Sequence, residues 1–289
     1  LVTPQGDSVT LGTRAPDAPG YDLLGTVVGS EGTLGVATSV TVRLVRTPET
    51  VKTLLAGFRS TDDAGAATSA IIGAGIVPAA IEMMDALAIE AAEAAVSCGY
   101  PAGAGAVLVV ELDGPVAEVD HEFAQVERMC EENGSFERRV AVDDADRAAI
   151  WRGRKSAFAA VGRISPDYIV QDGVIPRTAL AEVLHRMGEL ARERGVRVAN
   201  VFHAGDGNLH PLVLFDESVP GQGEQAEEVS GAILDLCLQH GGSITGEHGV
   251  GSDKAKHMPK MFTEDDLDTM QLVRCAFDPA GIANPGKIY

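Results

Sequence analysis

The sequence predicts an α+β fold built around a ferredoxin-like antiparallel sheet, and three observations carry that expectation. Between Val51 and Val142, strand-period and helix-period segments alternate without a break. They group into two strand–helix–strand units in tandem, the arrangement that gives such a sheet with helices on one face. The chain has 289 residues, 45% of them apolar, long for one hydrophobic core and comfortable for two compact units.

Residues 1–46 read as the tail of a β-rich domain. Leu1–Leu11 alternates about a Gly6-Asp7 turn, Arg14–Gly20 is a mobile Pro/Gly stretch, and Val36–Val45 alternates as a strand. The chain opens on Leu1 and not Met, and such a hairpin lacks an earlier partner strand. The expectation is a chain beginning inside a domain, with residues 1–46 poorly packed or paired with a neighbouring molecule. After Thr47-Pro48-Glu49 the expected elements are a strand Val51–Phe58, a helix Thr61–Gly75, a strand Ala79–Met84 and an Ala-rich helix Asp85–Cys98. A strand Ala106–Leu112 follows, then a helix Val116–Asn133 closed by Asn133-Gly134, and a strand Phe136–Val142. The second half predicts a helix Asp144–Val161, a strand Tyr168–Ile175, a helix Thr178–Gly195 and a hairpin over 196–215. A helix Gln225–His240, a glycine-rich loop 241–251 and two terminal helices complete it.

A formal charge of −19 argues against nucleic acid, which needs a Lys/Arg surplus, and 4% aromatic residues argues against a base-stacking platform. Cys98, Cys130, Cys237 and Cys275 show no CxxC spacing, and buried reduced thiols point to the cytoplasm. No apolar run approaches the roughly 20 residues of a membrane span, and no signal peptide is visible.

Four segments can carry chemistry. Gly29-Ser30-Glu31-Gly32-Thr33-Leu34-Gly35 is either a plain glycine-rich turn or one whose N–H groups converge on an anion. In His203-Ala204-Gly205-Asp206-Gly207-Asn208-Leu209-His210 the central glycines forbid a helix. Strands on either side put His203 and His210 a few ångströms apart, as a neutral pair or as ligands of a divalent cation. In Thr245-Gly246-Glu247-His248-Gly249-Val250-Gly251, Glu247 would complete a two-His, one-carboxylate set and leave His248 as a candidate general base. The alternative there is a solvated surface loop. Trp151-Arg152-Gly153-Arg154-Lys155, three cations in an acidic chain, offers the best local site for a carboxylate, against the ordinary reading of solvated helix charges.

Together these segments resemble the FAD-linked oxidase family of the vanillyl-alcohol-oxidase type. Its pattern of GSEGxLG, WxxRK, DGxIP, HxGDGNxHP, GGxxxGEHGxG and terminal NPGK stands here at Gly29–Gly35, Trp151–Lys155, Asp172–Pro176, His203–Pro211, Gly241–Gly251 and Asn284–Lys287. Six blocks in order over essentially the whole chain make the signal very specific. Arg163–Tyr168 and Val198–His203 look most like the glycolate oxidase flavoprotein branch, with D-lactate and D-2-hydroxyglutarate dehydrogenases next.

The resemblance implies that residues 1–46 are the C-terminal remnant of a PCMH-type FAD-binding domain. Residues 47–289 would then be the FAD-linked oxidase C-terminal domain, a ferredoxin-like substrate domain with a C-terminal helical cap. It implies that Gly29, Ser30, Glu31, Gly32, Leu34 and Gly35 hold FAD near its pyrophosphate and that Asn284 returns to the flavin. His203, His210 and Glu247 would bind a divalent metal, zinc or manganese. His248 would be the base and Arg154 the clamp on the substrate carboxylate. The expected reaction is hydride removal from a short 2-hydroxy acid, glycolate or D-lactate, giving the 2-oxo acid. An iron–sulfur partner subunit is the expected electron acceptor, through which a cytoplasmic protein can associate with a membrane. A zinc hydrolase, or a non-catalytic assembly fragment docking such a partner, are the competing readings; the hydrolase leaves the flavin-loop motif and Asn284 unexplained.

Around Arg154 the nearby cations are Arg152, Lys155 and Arg163; Arg152 lies about 200° from it on a helix and faces away, and the strand leading to Asp172–Pro176 offers no Lys or Arg. Phe158 and Leu212 are expected to line the pocket with apolar surface. A distal carboxylate would then be desolvated without a partner, which favours a monocarboxylate over D-2-hydroxyglutarate.

Overall fold

The computed structural model describes residues 1–15 and 20–289; positions 16–19, inside the proposed mobile stretch Arg14–Gly20, lie outside the described residues. The chain forms two compact units, Thr47–Gly246 and, separately, Leu1–Arg46 with Glu247–Tyr289.

The smaller unit holds helix α1 (Leu23–Val27), capped by the Asp22 side chain. The larger unit begins with β1 (Thr50–Phe58), α2 (Thr61–Gly73), β2 (Ala80–Asp85), α3 (Ala86–Val96), β3 (Ala106–Gly114), α4 (Val116–Glu132) and β4 (Glu137–Val140). It continues with α5 (Asp144–Val161), β5 (Asp167–Val170), β6 (Gly173–Val174), α6 (Leu180–Glu193), β7 (Arg197–His203), β8 (Asn208–Leu209), β9 (Pro211–Phe215) and α7 (Gln222–Gln239). The helix starts follow local chemistry. Ser60, Asp85 and Asp143 accept hydrogen bonds from the first turns of α2, α3 and α5, and acidic residues sit in the first turns of α2 and α5, where the helix dipole favours them.

The strand order β4-β1-β3-β2 is the ferredoxin-like one, and β7, β8 and β6 extend the sheet beyond β2. β1 and β3 pair antiparallel from Thr50↔Gly114 to Phe58↔Ala106. Alternate residues therefore face opposite sides. Leu54, Ala56, Phe58, Leu108 and Val110 enter one core with α2, α4, α6 and α7, whereas Leu55, Val107 and Val109 enter a second core with α3 and α5. Helices thus cover both faces, where the tandem units alone suggested one. The near-continuous apolar run of β3 is the local mark of a strand buried on both sides.

Two expected strands differ. Tyr168–Ile175 breaks at Gln171-Asp172, because β5 pairs with β9 and β6 pairs with β8. The Gln171 N–H donates to Pro211 O at this switch, and the Asp172 side chain leaves the sheet. Val36–Val45 forms no strand. Only Val36 bridges to Val2, and Val40, Val42, Leu44 and Val45 stand exposed. A strand needs a neighbour to take its hydrogen bonds, and among the described residues none pairs with this segment beyond Val36.

In the smaller unit the expected hairpin over Leu1–Leu11 is a single Val2↔Ser8 bridge turned at Gly6, whose φ is +90°. The C-terminal part of the unit carries α8 (Met258–Met261) and α9 (Glu264–Phe277), the latter started by a Thr263/Asp266 capping box. Among the described residues no helix is long and apolar enough to cross a membrane. Cys98, Cys130 and Cys237 are buried, Cys275 is exposed, and none forms a disulfide.

Candidate functional site

In the larger unit the candidate residues gather where β2, β7 and α5 meet. Glu82 on β2 lies directly opposite His203, the last residue of β7. Its Oε1 is 2.8 Å from His203 Nδ1. Its Oε2 accepts from Nε of Arg154 at 2.9 Å and forms an ion pair with Nη2 at 2.9 Å. Arg154 and Glu82 are both only 7% exposed. An isolated charge in either place would be costly, so each is retained by the other. Gly153 brings this stretch of α5 close, for a Cβ there would stand 2.5 Å from both Cys98 Sγ and Tyr100 Oη. Tyr100 in turn donates to Ile150 O at 2.8 Å.

The Ala204–Gly207 turn closes tightly. Gly207 has φ +72°, and a Cβ on it would meet Ile175 O at 2.2 Å, so only glycine fits. The turn brings the His203 and His210 rings to 5.3 Å between centroids, at 84° to each other. Phe158, one turn beyond Arg154 on α5, lies edge-on to His210 at 6.1 Å and 5.7 Å below the Arg154 guanidinium. His210 Nε2 is 3.4 Å from Asp172 Oδ1, with both side chains buried. Asp172 Oδ2 accepts from Thr245 Oγ1 at 2.6 Å and from the Gly246 N–H at 2.9 Å. Gly246 is pressed so closely on Asn208 that a Cβ would stand 2.6 Å from its Oδ1. The strand break at Asp172 therefore pins the residue that precedes Glu247 in the chain.

The three cations of Trp151–Lys155 do not form one site. Arg154 points inward, while Arg152 and Lys155 line a surface cavity with Arg147, Trp151 and Glu111. Glu111 accepts from both edge nitrogens of Arg147 and from Trp151 and Thr53, all at 2.6–2.7 Å. Burial raises the Glu111 carboxyl, but these donors together outweigh it and hold it below the usual carboxylate range. Leu212, expected beside the pocket, is fully buried in the second core and offers no surface to a ligand.

In the smaller unit the remaining candidates form a clasp of loops. Glu31, with φ +51°, accepts from the Val250 and Gly251 N–H groups at 2.7 and 2.8 Å. Gly249 lies so near that a Cβ would be 2.7 Å from the Glu31 carboxyl carbon. The turn just after Glu247 and His248 is thus held by a carboxylate from the glycine loop. Asn284 Nδ2 donates to Gly32 O at 3.0 Å, and Arg274 holds the carbonyls of Ala283 and Asn284. Ser30 O accepts from the Thr33 N–H and hydroxyl, closing the turn, and Leu34 is buried as its anchor. Gly35 backs onto Val2 O, and Gly29, at φ +83°, faces open space. Glu247 and His248 are about half exposed, with His248 Nε2 3.9 Å from Glu247 Oε1.

Glu82 and Asp172 were not among the residues the sequence singled out for the site. The signal for Glu82 was an acid inside the otherwise apolar strand Ala-Ile-Glu-Met-Met, and for Asp172 its place in the Asp-Gly-Val-Ile-Pro block.

The chain is 50% identical over 285 residues to the glycolate oxidase subunit GlcD of Escherichia coli (strain K12), covering 99% of this chain and 57% of that protein. It is 31% identical to the mitochondrial D-lactate dehydrogenase [cytochrome] of Arabidopsis thaliana, covering all of this chain and 51% of that one. The chain therefore spans little more than half the length of these relatives. Among solved structures, 4-ethylphenol oxidase from Gulosibacter chungangensis superposes with a TM-score of 0.75 at 16% identity, over 99% of this chain and 64% of that one, a likeness of fold. The family described as FAD linked oxidases, C-terminal domain, matches residues 47–288, and the chain belongs to it.

Proposed function

We propose that this chain is the substrate- and metal-binding part of an FAD-dependent enzyme that oxidises a short 2-hydroxy acid, glycolate or D-lactate, to the 2-oxo acid. The observation that carries the reading is the Arg154–Glu82–His203 chain, its first two members buried, beside His210: a carboxylate-binding cation next to a pair of imidazoles. The two named relatives, one a glycolate oxidase subunit and the other a D-lactate dehydrogenase, support the substrate class.

In this reading Arg154 binds the substrate carboxylate. Glu82 occupies its Nε/Nη2 edge, and the Nη1/Nη2 edge is the one that can take a second carboxylate end-on. Phe158 supplies the apolar wall, and the side-chain cations Arg152 and Lys155 belong to another face of α5. That favours a monocarboxylate, since a distal carboxylate would lose its hydration without gaining a partner.

The donor set of His203, His210 and Glu247 suits zinc or manganese. A carboxylate already holds His203 Nδ1, and Glu247 follows directly on a residue pinned by Asp172. The loop of Gly29, Ser30, Glu31, Gly32, Leu34 and Gly35, with Asn284 against it, suits the FAD pyrophosphate. Its glycines turn the backbone at positive φ, and Gly29 is open to a ligand. Bound, the flavin supplies a hydride acceptor and the cation lowers the pKa of the substrate hydroxyl. His248 receives the hydroxyl proton on its imidazole, and Arg154 holds the carboxylate so that the carbinol C–H has one orientation. Residues 1–46 are the end of an FAD-binding domain, the protein is cytoplasmic, and its electrons pass to an iron–sulfur partner subunit.

The test is substrate discrimination in the holoenzyme. A higher kcat/KM for glycolate or D-lactate than for D-2-hydroxyglutarate is expected, and Arg154→Ala should weaken all three by a similar factor. The reverse order of substrates contradicts the pocket described here.

A further inference from the structure

We infer that Glu82 is a positioning residue that sets the metal-facing nitrogen of His203 and the carboxylate-facing edge of Arg154 with one side chain. The inference deepens the proposed function and rests on its assignment of those two residues.

Glu82 sits in the centre of the sheet, on a strand flanked by β3 and β7, and its carboxylate is buried. A carboxylate oxygen accepts hydrogen bonds, and both oxygens of Glu82 are engaged, Oε2 by the Arg154 Nε–H and Oε1 against His203. Nδ1 of His203, 2.8 Å from Oε1, must therefore carry the ring proton, and Nε2 of a neutral ring then carries the lone pair. A metal-binding imidazole needs its proton on the nitrogen away from the cation, and a carboxylate on that nitrogen also fixes the ring plane. The register Glu82↔His203 across β2 and β7 makes this contact a consequence of the strand pairing.

The second oxygen does a different task. Oε2 accepts from the Arg154 Nε–H and lies 2.9 Å from Nη2, and so fixes the rotation of the guanidinium about its long axis. Its Nη1/Nη2 edge then points in one direction only. One carboxylate thus orients a proposed metal ligand and a proposed substrate clamp that are far apart in sequence. Neither strand β2 nor helix α5 could do this alone.

The substitution that separates this role from mere packing is Glu82→Gln, which keeps size and shape. An amide that keeps its oxygen toward Arg154 turns its NH2 toward His203 Nδ1, which must then accept, moving the ring proton to Nε2. The direct measurement is the tautomer of His203 by nitrogen NMR on metal-free protein at about pH 8, above the ordinary imidazole pKa of about 6.5. The resonances are assigned by loss in His203→Gln. Unsubstituted protein is expected to show the Nδ1–H form and Glu82→Gln the Nε2–H form. Zn²⁺ affinity, measured by chelator competition, is expected to fall about 10- to 100-fold in Glu82→Gln. An Nε2–H tautomer in the unsubstituted protein overturns the inference even if the variant does not fold. So does a folded Glu82→Gln that keeps both the Nδ1–H tautomer and its Zn²⁺ affinity. If the tautomer switches as expected but the unsubstituted protein binds no Zn²⁺ or Mn²⁺, the orienting role of Glu82 stands and the metal assignment is what fails.

Discussion

The two units hold their candidate residues by different physics. In Thr47–Gly246 the side chains bond one another. Glu82, Arg154, His203, His210 and Asp172 lie on the sheet, at its strand ends and on a packed helix, mostly out of water. In the smaller unit the contacts run from side chain to backbone. Glu31 takes the N–H groups of Val250 and Gly251, and Asn284 reaches Gly32 O, on loops whose glycines sit at positive φ. A buried ion pair tolerates no loss of one partner, whereas a loop clasp can open locally while the rest of the protein stays folded. The sheet unit therefore suits groups whose geometry must not change. The loop unit suits groups that must admit a large ligand.

The sharpest way to break this contrast is to remove one charge from the sheet unit. Glu82→Ala leaves Arg154 buried without its partner, and urea unfolding should show a loss of about 3–5 kcal/mol. The double variant Glu82→Leu with Arg154→Met should be more stable than Glu82→Ala, because the unpaired charge is gone. A Glu82→Ala protein as stable as the unsubstituted one would place this pair in water.

Next in size is Gly153→Ala, whose methyl would be driven against Cys98 and Tyr100. About 1–3 kcal/mol should be lost by the same measurement, with Tyr100→Phe, Gly153→Ala no worse than the single change. Smaller again is Glu111→Gln. Because the Glu111 carboxyl is held below its ordinary value, its contribution to stability is present above the unfolded-state pKa and is lost as pH falls through the folded-state one. Thermal midpoints of the two proteins should differ most at neutral pH and converge on acidification. A difference that widens toward acid would reverse the assigned sign.

The smallest global effect is expected for Glu31→Gln. Charge-assisted bonds to two amides are weakened, and each is worth about 1.5–3 kcal/mol. The opening is local, so hydrogen exchange at Val250 and Gly251 should accelerate about tenfold or more while the core amides of β1 and β3 are unchanged. Equal acceleration everywhere would mean that the clasp and the sheet unfold together, and the contrast between the units would be gone.

What could be read in the sequence follows the range of the forces. Helix α5 is legible to its ends because Asp143 caps it and the apolar stripe is its own. The His203–His210 pair is legible because Gly205-Asp206-Gly207-Asn208 allows only a turn, and a turn between strands sets the distance. Val36–Val45 misleads, since alternation records only a disposition to pair and the partner lies outside the segment. The second helical layer is hidden for a related reason: α3 looks like any Ala-rich helix, and only the unbroken apolar run Ala106–Val110 of β3 tells of two cores. Glu82 is visible as an oddity, yet its meaning comes from residues 72 and 121 positions away, brought in by α5 and β7.

The central claim, that this chain serves flavin-dependent oxidation of a short 2-hydroxy acid held by Arg154, is tested most directly by anaerobic mixing of the FAD-loaded holoenzyme with glycolate or D-lactate. The account predicts bleaching of the flavin absorbance by one or both, and its loss at the same substrate concentration in Arg154→Ala. A flavin that neither acid reduces, or one reduced equally well when Arg154 is alanine, would contradict it.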